Sequence, residues 1–187
     1  MRKIVLVSGS PRRKELLKNL GLKFTVFIPN VPEQIRDRHY KRDIVKVVRA
    51  KLDSASCRAK ELLIACDTIV VCGGKVLGKP QDAHQAAGFL KMLSGRKHIV
   101  YSCLAVKYRQ GGQAVYKHRL VATEVYFRRI TPAEITAYLR TPVPYDKAGA
   151  YGIQENKGLF VRKISGCYYN VVGLPVNDLI DMLKSIK

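Results

Sequence analysis

The chain has 187 residues, 47% of them hydrophobic, which is enough to bury a core and too apolar for a disordered segment. Lys and Arg number 34 against 14 Asp and Glu, a formal net charge of +20; the cations are spread along the chain, so they form either a solvated surface or a seat for a polyanion, a nucleic-acid backbone or a phosphorylated small molecule. No apolar run reaches the roughly 18 residues of a membrane span, the IVLV run behind the basic start is too short for a signal peptide, and five cysteines without CxxC spacing argue for free thiols in a reducing, cytoplasmic setting and against zinc.

In chain order, residues 3–8 (KIVLVS) read as a short buried strand. Residues 10–20 (SPRRKELLKNL) read as the helix after it, with Ser10 as N-cap and Pro11 at the first helical position. Residues 23–28 form a second strand, and 29–42, punctuated by Pro29 and Pro32, a loop. The helical spacing of Ile44, Val47, Val48, Leu52, Ala55 and Ala59 predicts a helix over 43–62. The apolar run 62–72 (LLIACDTIVVC) predicts a central strand, closed by a Gly73-Gly74 hairpin turn. A helix over 82–95 with a glycine past its end follows. Two long strands, 99–108 and 114–127, are joined by a hairpin. Thr131 and Glu134 carry a capping-box pattern for a helix over 131–140. Residues 145–158 read as a glycine-rich loop, 160–164 as a strand and 175–187 as a closing helix. The mixture predicts an α/β domain in which a long, curved, mixed sheet is flanked by helices.

Four places stand out chemically. A strand, the small turn Ser8-Gly9-Ser10 and a helix start make an anion site from N–H groups and hydroxyls, and Arg12 and Arg13, unfavourable beside the positive end of the helix, become bidentate donors once an anion is there; the alternative is chance in a basic chain. Asp67 lies in the most apolar part of the sequence, where an unpaired carboxylate costs several kcal/mol. It is a candidate general base, or an acid satisfied by neighbouring backbone N–H groups. Lys51 falls on the apolar side of its helix and Lys79 in the turn after the Asp67 hairpin; both can face a triphosphate, or the first can snorkel and the second be a surface charge. Glu33, Asp67 and Asp82 are the carboxylates placed to ligate Mg²⁺. In the last place, Ala148, Gly149, Ala150 and Gly152 permit close backbone approach to a ligand, and Gln154 offers a donor and an acceptor to a nucleobase edge; an ordinary glycine loop is the alternative.

Six blocks, SGSPRRKELL, VVRAKLDSA, ACDTIVV, VLGKPQDAHQAAGFLKMLSGRKH, YDKAGAYGIQ and SGCYYNVVGLPV, cover nearly the whole chain, and their order and spacing resemble the Maf family of nucleoside triphosphate pyrophosphatases. The resemblance implies a single domain over residues 1–187, elongated, with two lobes and a central cleft as in the inosine triphosphate pyrophosphatases. It also implies a divalent cation, Mg²⁺ or Mn²⁺, frequent homodimers, and cleavage of a nucleoside triphosphate between its α and β phosphates. Asp67 falls on the family's catalytic base, and Ser8, Arg12, Arg13, Lys51 and Lys79 on its phosphate-holding positions. Arg12 after Ser-Pro, Thr68 after the aspartate and Gln154 at the end of the glycine loop match the branch acting on dTTP and UTP; the 7-methyl-GTP branch tends to carry Trp, Gln and Glu there. The chain departs from the family at Pro32, where many members have a second acid before Glu33, and at Cys66, where a smaller residue is common. A nucleic-acid-binding module using the basic surface, with Asp67 as a structural acid, is the competing reading.

Overall fold

The computed structural model describes residues 2–141, 143–154 and 159–186. Its strands are β1 (Lys3–Val7), β2 (Phe24–Phe27), β3 (Glu61–Cys72), β4 (Lys75–Leu77), β5 (Lys97–Gln110), β6 (Gln113–Phe127) and β7 (Val161–Ser165). They form one seven-stranded mixed sheet in the order β2-β1-β3-β5-β6-β7, with β4 paired to β3. β1 runs parallel to both β2 and β3, whereas β3–β4 and β6–β7 are antiparallel. The helices are α1 (Pro11–Asn19), α2 (Tyr40–Asp53), α3 (Ala83–Leu93), α4 (Pro132–Leu139), α5 (Tyr168–Val172) and α6 (Val176–Lys184).

Two compact units emerge. Unit 1 comprises Met1–Asp67, Ser102–Val121 and Gly173–Lys187; unit 2 comprises Thr68–Tyr101 and Ala122–Val172. In unit 1 the parallel β2-β1-β3 arrangement requires crossovers, which α1 and α2 supply. α2 buries Ile44, Val48 and Leu52 completely, at helical spacing, and β3 buries Leu63, Ile64 and Ala65 in succession, as a central strand covered on both faces does. In unit 2, Leu90, Leu93, Val125, Phe127, Tyr151 and Phe160 belong to one buried cluster. Phe127 meets Tyr151 edge-to-face at 4.8 Å between ring centroids.

Most expected elements are present, and α4 carries the full capping box. Two places differ. The helix expected over 43–62 starts three residues earlier and stops at Asp53. At its start Asp43, itself buried, accepts from Nε and Nη2 of Arg36, both at 2.8 Å, which folds the 29–36 loop back onto the helix; the bonded guanidinium holds the Asp43 carboxyl well below the usual carboxylate range. At its end the Ser54 hydroxyl donates to the Lys51 carbonyl (2.8 Å) and Lys107 Nζ donates to Asp53 Oδ1 (2.9 Å). Ala55 is buried outside the helix, so its place in the periodicity is coincidental. The second difference is α5, five residues too short to leave a periodic signal. The ends of the 145–158 loop and of the closing segment, at 155–158 and 187, lie outside the described residues.

Candidate active site

Unit 1 gathers six of the singled-out residues. Asp67 is 8% exposed and sits on β3 where the strand is otherwise apolar. Its partner is a lysine, not backbone N–H groups: Lys51 Nζ donates to Asp67 Oδ1 at 2.9 Å. The same ammonium lies 2.6 Å from Glu33 Oε1. Lys51 is 4% exposed and comes from the core-facing side of α2, so it is anchored rather than snorkelling. Glu33, from the loop after β2, has a side chain 48% exposed. One buried ammonium therefore joins one buried and one half-exposed carboxylate.

The start of α1 forms the second feature. Ser10 is the N-cap and Pro11 follows, but the Ser10 side chain makes no cap bond. Instead the buried Ser8 Oγ accepts from Ser10 N (3.2 Å) and from Arg13 Nη1 (3.2 Å). Arg13 Nε donates to the Gly173 carbonyl at 2.8 Å. That carbonyl also accepts from Cys66 Sγ at 3.5 Å, so the residue before Asp67 and the arginine after the turn share one anchor. Gly173 was not legible as a site residue; the only signal was the Gly-Leu-Pro break before α6. Nearby in this unit, burial above all pushes the Cys103 thiol up to about 12, with Cys66 and Asp67 adding to it, which keeps it protonated. All five cysteines are free.

The remaining residues belong to unit 2. Thr68 follows Asp67 directly on β3 and is half-buried; Lys79 and Gln154 are exposed. Asp82 serves the fold by capping α3, its Oδ1 accepting from Gln85 N at 2.7 Å. The small residues of the 148–150 stretch have a packing role as well. Gly149 takes φ +70°, and a Cβ there would lie 3.1 Å from Val70 Cγ2, so its smallness is required by its surroundings.

Among the described residues no three His, Cys, Asp or Glu side chains gather into a metal site. The donor chemistry still suits a hard cation: Glu33 and Asp67 are carboxylates that both reach Lys51 Nζ, and Mg²⁺ or Mn²⁺ bound through one or two carboxylates commonly takes its other ligands from water and phosphate. Asp82 belongs to unit 2, its Oδ1 taken by the α3 cap.

An open mixed sheet with a buried carboxylate on a central strand, a lysine against it, and a serine–arginine pair at a neighbouring helix start define an α/β protein that handles phosphate groups. The chain belongs to the Maf family, described as Maf-like protein, which matches residues 3–186. Relatives include a dTTP/UTP pyrophosphatase of Desulforamulus reducens, 42% identical over 98% of this chain and 96% of its own length. Proteins of the same name from Carboxydothermus hydrogenoformans (44%, covering 97% of each chain) and a Thermoanaerobacter species (44%, covering 97% of this chain and 95% of its own) are similar too. Among the described residues no helix is long and apolar enough to cross a membrane.

Proposed function

We propose that this protein hydrolyses nucleoside triphosphates, dTTP and UTP above all, between the α and β phosphates, releasing the monophosphate and pyrophosphate. The observation that carries the reading is the Glu33–Lys51–Asp67 cluster, because a lysine buried between two carboxylates has one partner to exchange. Glu33 is the exposed partner, so an arriving phosphate oxygen replaces it at Lys51, while Asp67 keeps its 2.9 Å bond.

The chemistry follows from positions. Ser8 and Arg13, tied to each other and to Gly173, present hydroxyl and guanidinium to the phosphates. Arg12 joins them from the same turn of α1. Lys51 engages Asp67 through Oδ1, and the other carboxylate oxygen accepts the proton of the attacking water. The water oxygen bonds to the α phosphorus, the bond from that phosphorus to the oxygen bridging the α and β phosphates breaks, and pyrophosphate leaves with the bridging oxygen. Charge spreads over phosphate oxygens in such a step, so fixed cations do most of the work. A divalent cation, when bound, would be held by Glu33 and Asp67 and would supply further positive charge at those oxygens. Thr68, Lys79 and Gln154 are assigned to the substrate by the family pattern, Gln154 toward the base. The setting is cytoplasmic, which five free thiols suit.

The test is pyrophosphate release from a panel of nucleoside triphosphates with Mg²⁺ or Mn²⁺, the parent beside Asp67→Asn. Turnover should be greatest on dTTP and UTP and fall at least a hundredfold in the variant, with the fold intact. Retained turnover in Asp67→Asn removes the general-base assignment, and a parent inactive on the whole panel removes the reaction.

A further inference from the structure

The charge of +20 exceeds what a compact triphosphate needs, and α2 shows where part of the excess is directed. Lys51 lies on the buried face of this helix. On the opposite, solvent face stand Arg42, Lys46 and Arg49, at i, i+4 and i+7, all exposed. At 1.5 Å per residue these three cations cover about 10 Å of axis in steps of roughly 6 and 4.5 Å. Arg38, exposed in the 3₁₀ turn before the helix, extends the row, and a hollow lined by Arg38, His39, Tyr40, Lys41 and Arg42 opens at that end.

Because the row and Lys51 are on opposite faces of one helix, an anion held at Lys51 does not reach the row. Among the described residues, Arg42 and Arg49 each have one acid within 4 Å, and each of those acids is shared with a closer partner. Asp43 makes its close bonds to Arg36 and lies 3.8 Å from Arg42. Asp53, 3.8 Å from Arg49, is shared with Lys107 at 2.9 Å and with the Tyr116 hydroxyl. The side chains of Arg42 and Arg49 remain 59% and 65% exposed. Arg49 is also held in place, its guanidinium 4.4 Å from the Tyr116 ring centroid.

We propose that the solvent face of α2 is a second anion-binding surface, separate from the candidate active site, that takes the phosphodiester backbone of a nucleic acid without reading its sequence. A row of cations repeating every three to four residues on one helix face suits a polymer of closely repeating negative charges. An anionic membrane is the weaker occupant, since a helix that lies on a bilayer inserts its apolar face, and that face of α2 is in the core.

Fluorescence anisotropy of the full chain against labelled 20-mers, one duplex and one single-stranded DNA of mixed sequence, measures this directly across 50–200 mM salt. The comparison is the triple variant Arg42→Gln, Lys46→Gln, Arg49→Gln. Binding to either oligonucleotide should weaken at least tenfold in the triple variant. The slope of log affinity against log salt should flatten by about 2–3, from ~0.9 per lost phosphate contact on duplex and ~0.7 on single strands. Pyrophosphate release should stay at the parent rate, which separates this surface from the proposed reaction. A unit 2 control, Arg162→Gln with Lys163→Gln, should bind as the parent does. Lys46→Gln alone should flatten the slope by about one contact and covers the case in which the triple variant is unstable. Equal affinity and slope in parent and triple variant overturn the proposal. So does a parent that binds neither oligonucleotide, or one captured by phosphatidylserine vesicles and not by DNA.

Discussion

Replacing Lys51 with methionine tests the central cluster through stability as well as activity. Methionine has a similar length and no charge, so the change leaves the Asp67 carboxylate inside β3 without the ammonium that bonds it at 2.9 Å. The side chains of Lys51 and Asp67 are 5% and 11% exposed, so solvent does little to compensate. Removing one partner of a buried ion pair costs about 3–5 kcal/mol; for a chain of this size that is a fall in Tm of roughly 6–20 °C, at about 2–4 °C per kcal/mol. Asp67→Asn should cost less, about 1 kcal/mol, because Lys51 keeps Glu33 at 2.6 Å and the Asn amide oxygen still accepts. The double variant Lys51→Met, Asp67→Asn then recovers much of what Lys51→Met lost, since no uncompensated charge remains. Urea unfolding at pH 7.5 of the parent, both single variants and the double completes a cycle with a coupling energy of about 2 kcal/mol. A Lys51→Met cost below about 1 kcal/mol, or strict additivity, would refute the reasoning that Asp67 depends on Lys51 for its burial.

Three further outcomes follow from other parts of the molecule. His98 is 1% exposed, its Nε2 is 2.7 Å from the Tyr151 hydroxyl, its Nδ1 has no hydrogen-bond partner among the described residues, and burial lowers its pKa to about 4. The unfolded state therefore binds the extra proton between about pH 6.5 and 4, so this histidine's contribution, up to about 3 kcal/mol, is complete above pH 6.5 and lost as pH falls toward 4; His98→Phe should flatten that part of a stability–pH profile measured by urea unfolding. Gly149→Ala places a Cβ 3.1 Å from Val70 at φ +70° and should destabilise by about 2 kcal/mol, read as an earlier thermal transition. Ser8→Ala removes the shared acceptor of Ser10 N and Arg13 Nη1 and should raise KM for dTTP about fivefold, with a smaller change in kcat, in steady-state pyrophosphate release.

Local signals account for much of the molecule. The Gly-Gly hairpin after β3, with positive φ at Gly73 and Gly74, and the Thr131–Glu134 box are each decided by a few neighbouring residues, and both were legible in order. The oddity of Asp67 was legible too, because a carboxylate in an apolar run is conspicuous whatever surrounds it. Its partner was not. Lys51 on an apolar helix face is equally compatible with snorkelling, and only the packing of α2 in unit 1 with β3 brings its nitrogen between Asp67 and Glu33, residues 16 and 18 positions away. The Gly173 carbonyl was invisible for the same reason: it lies 160 residues from Arg13, and a backbone oxygen has no letter in a sequence. Periodicity misplaces the end of α2 because it counts Ala55, while the terminating contact comes from Lys107 on β5. The sequence by itself thus determined the order of most elements, the tight turns and the α4 capping box, and which residues were chemically out of place, since those depend on near neighbours. Tertiary structure alone decided which charges meet, because burial and pairing arise only where distant segments are brought to the same point.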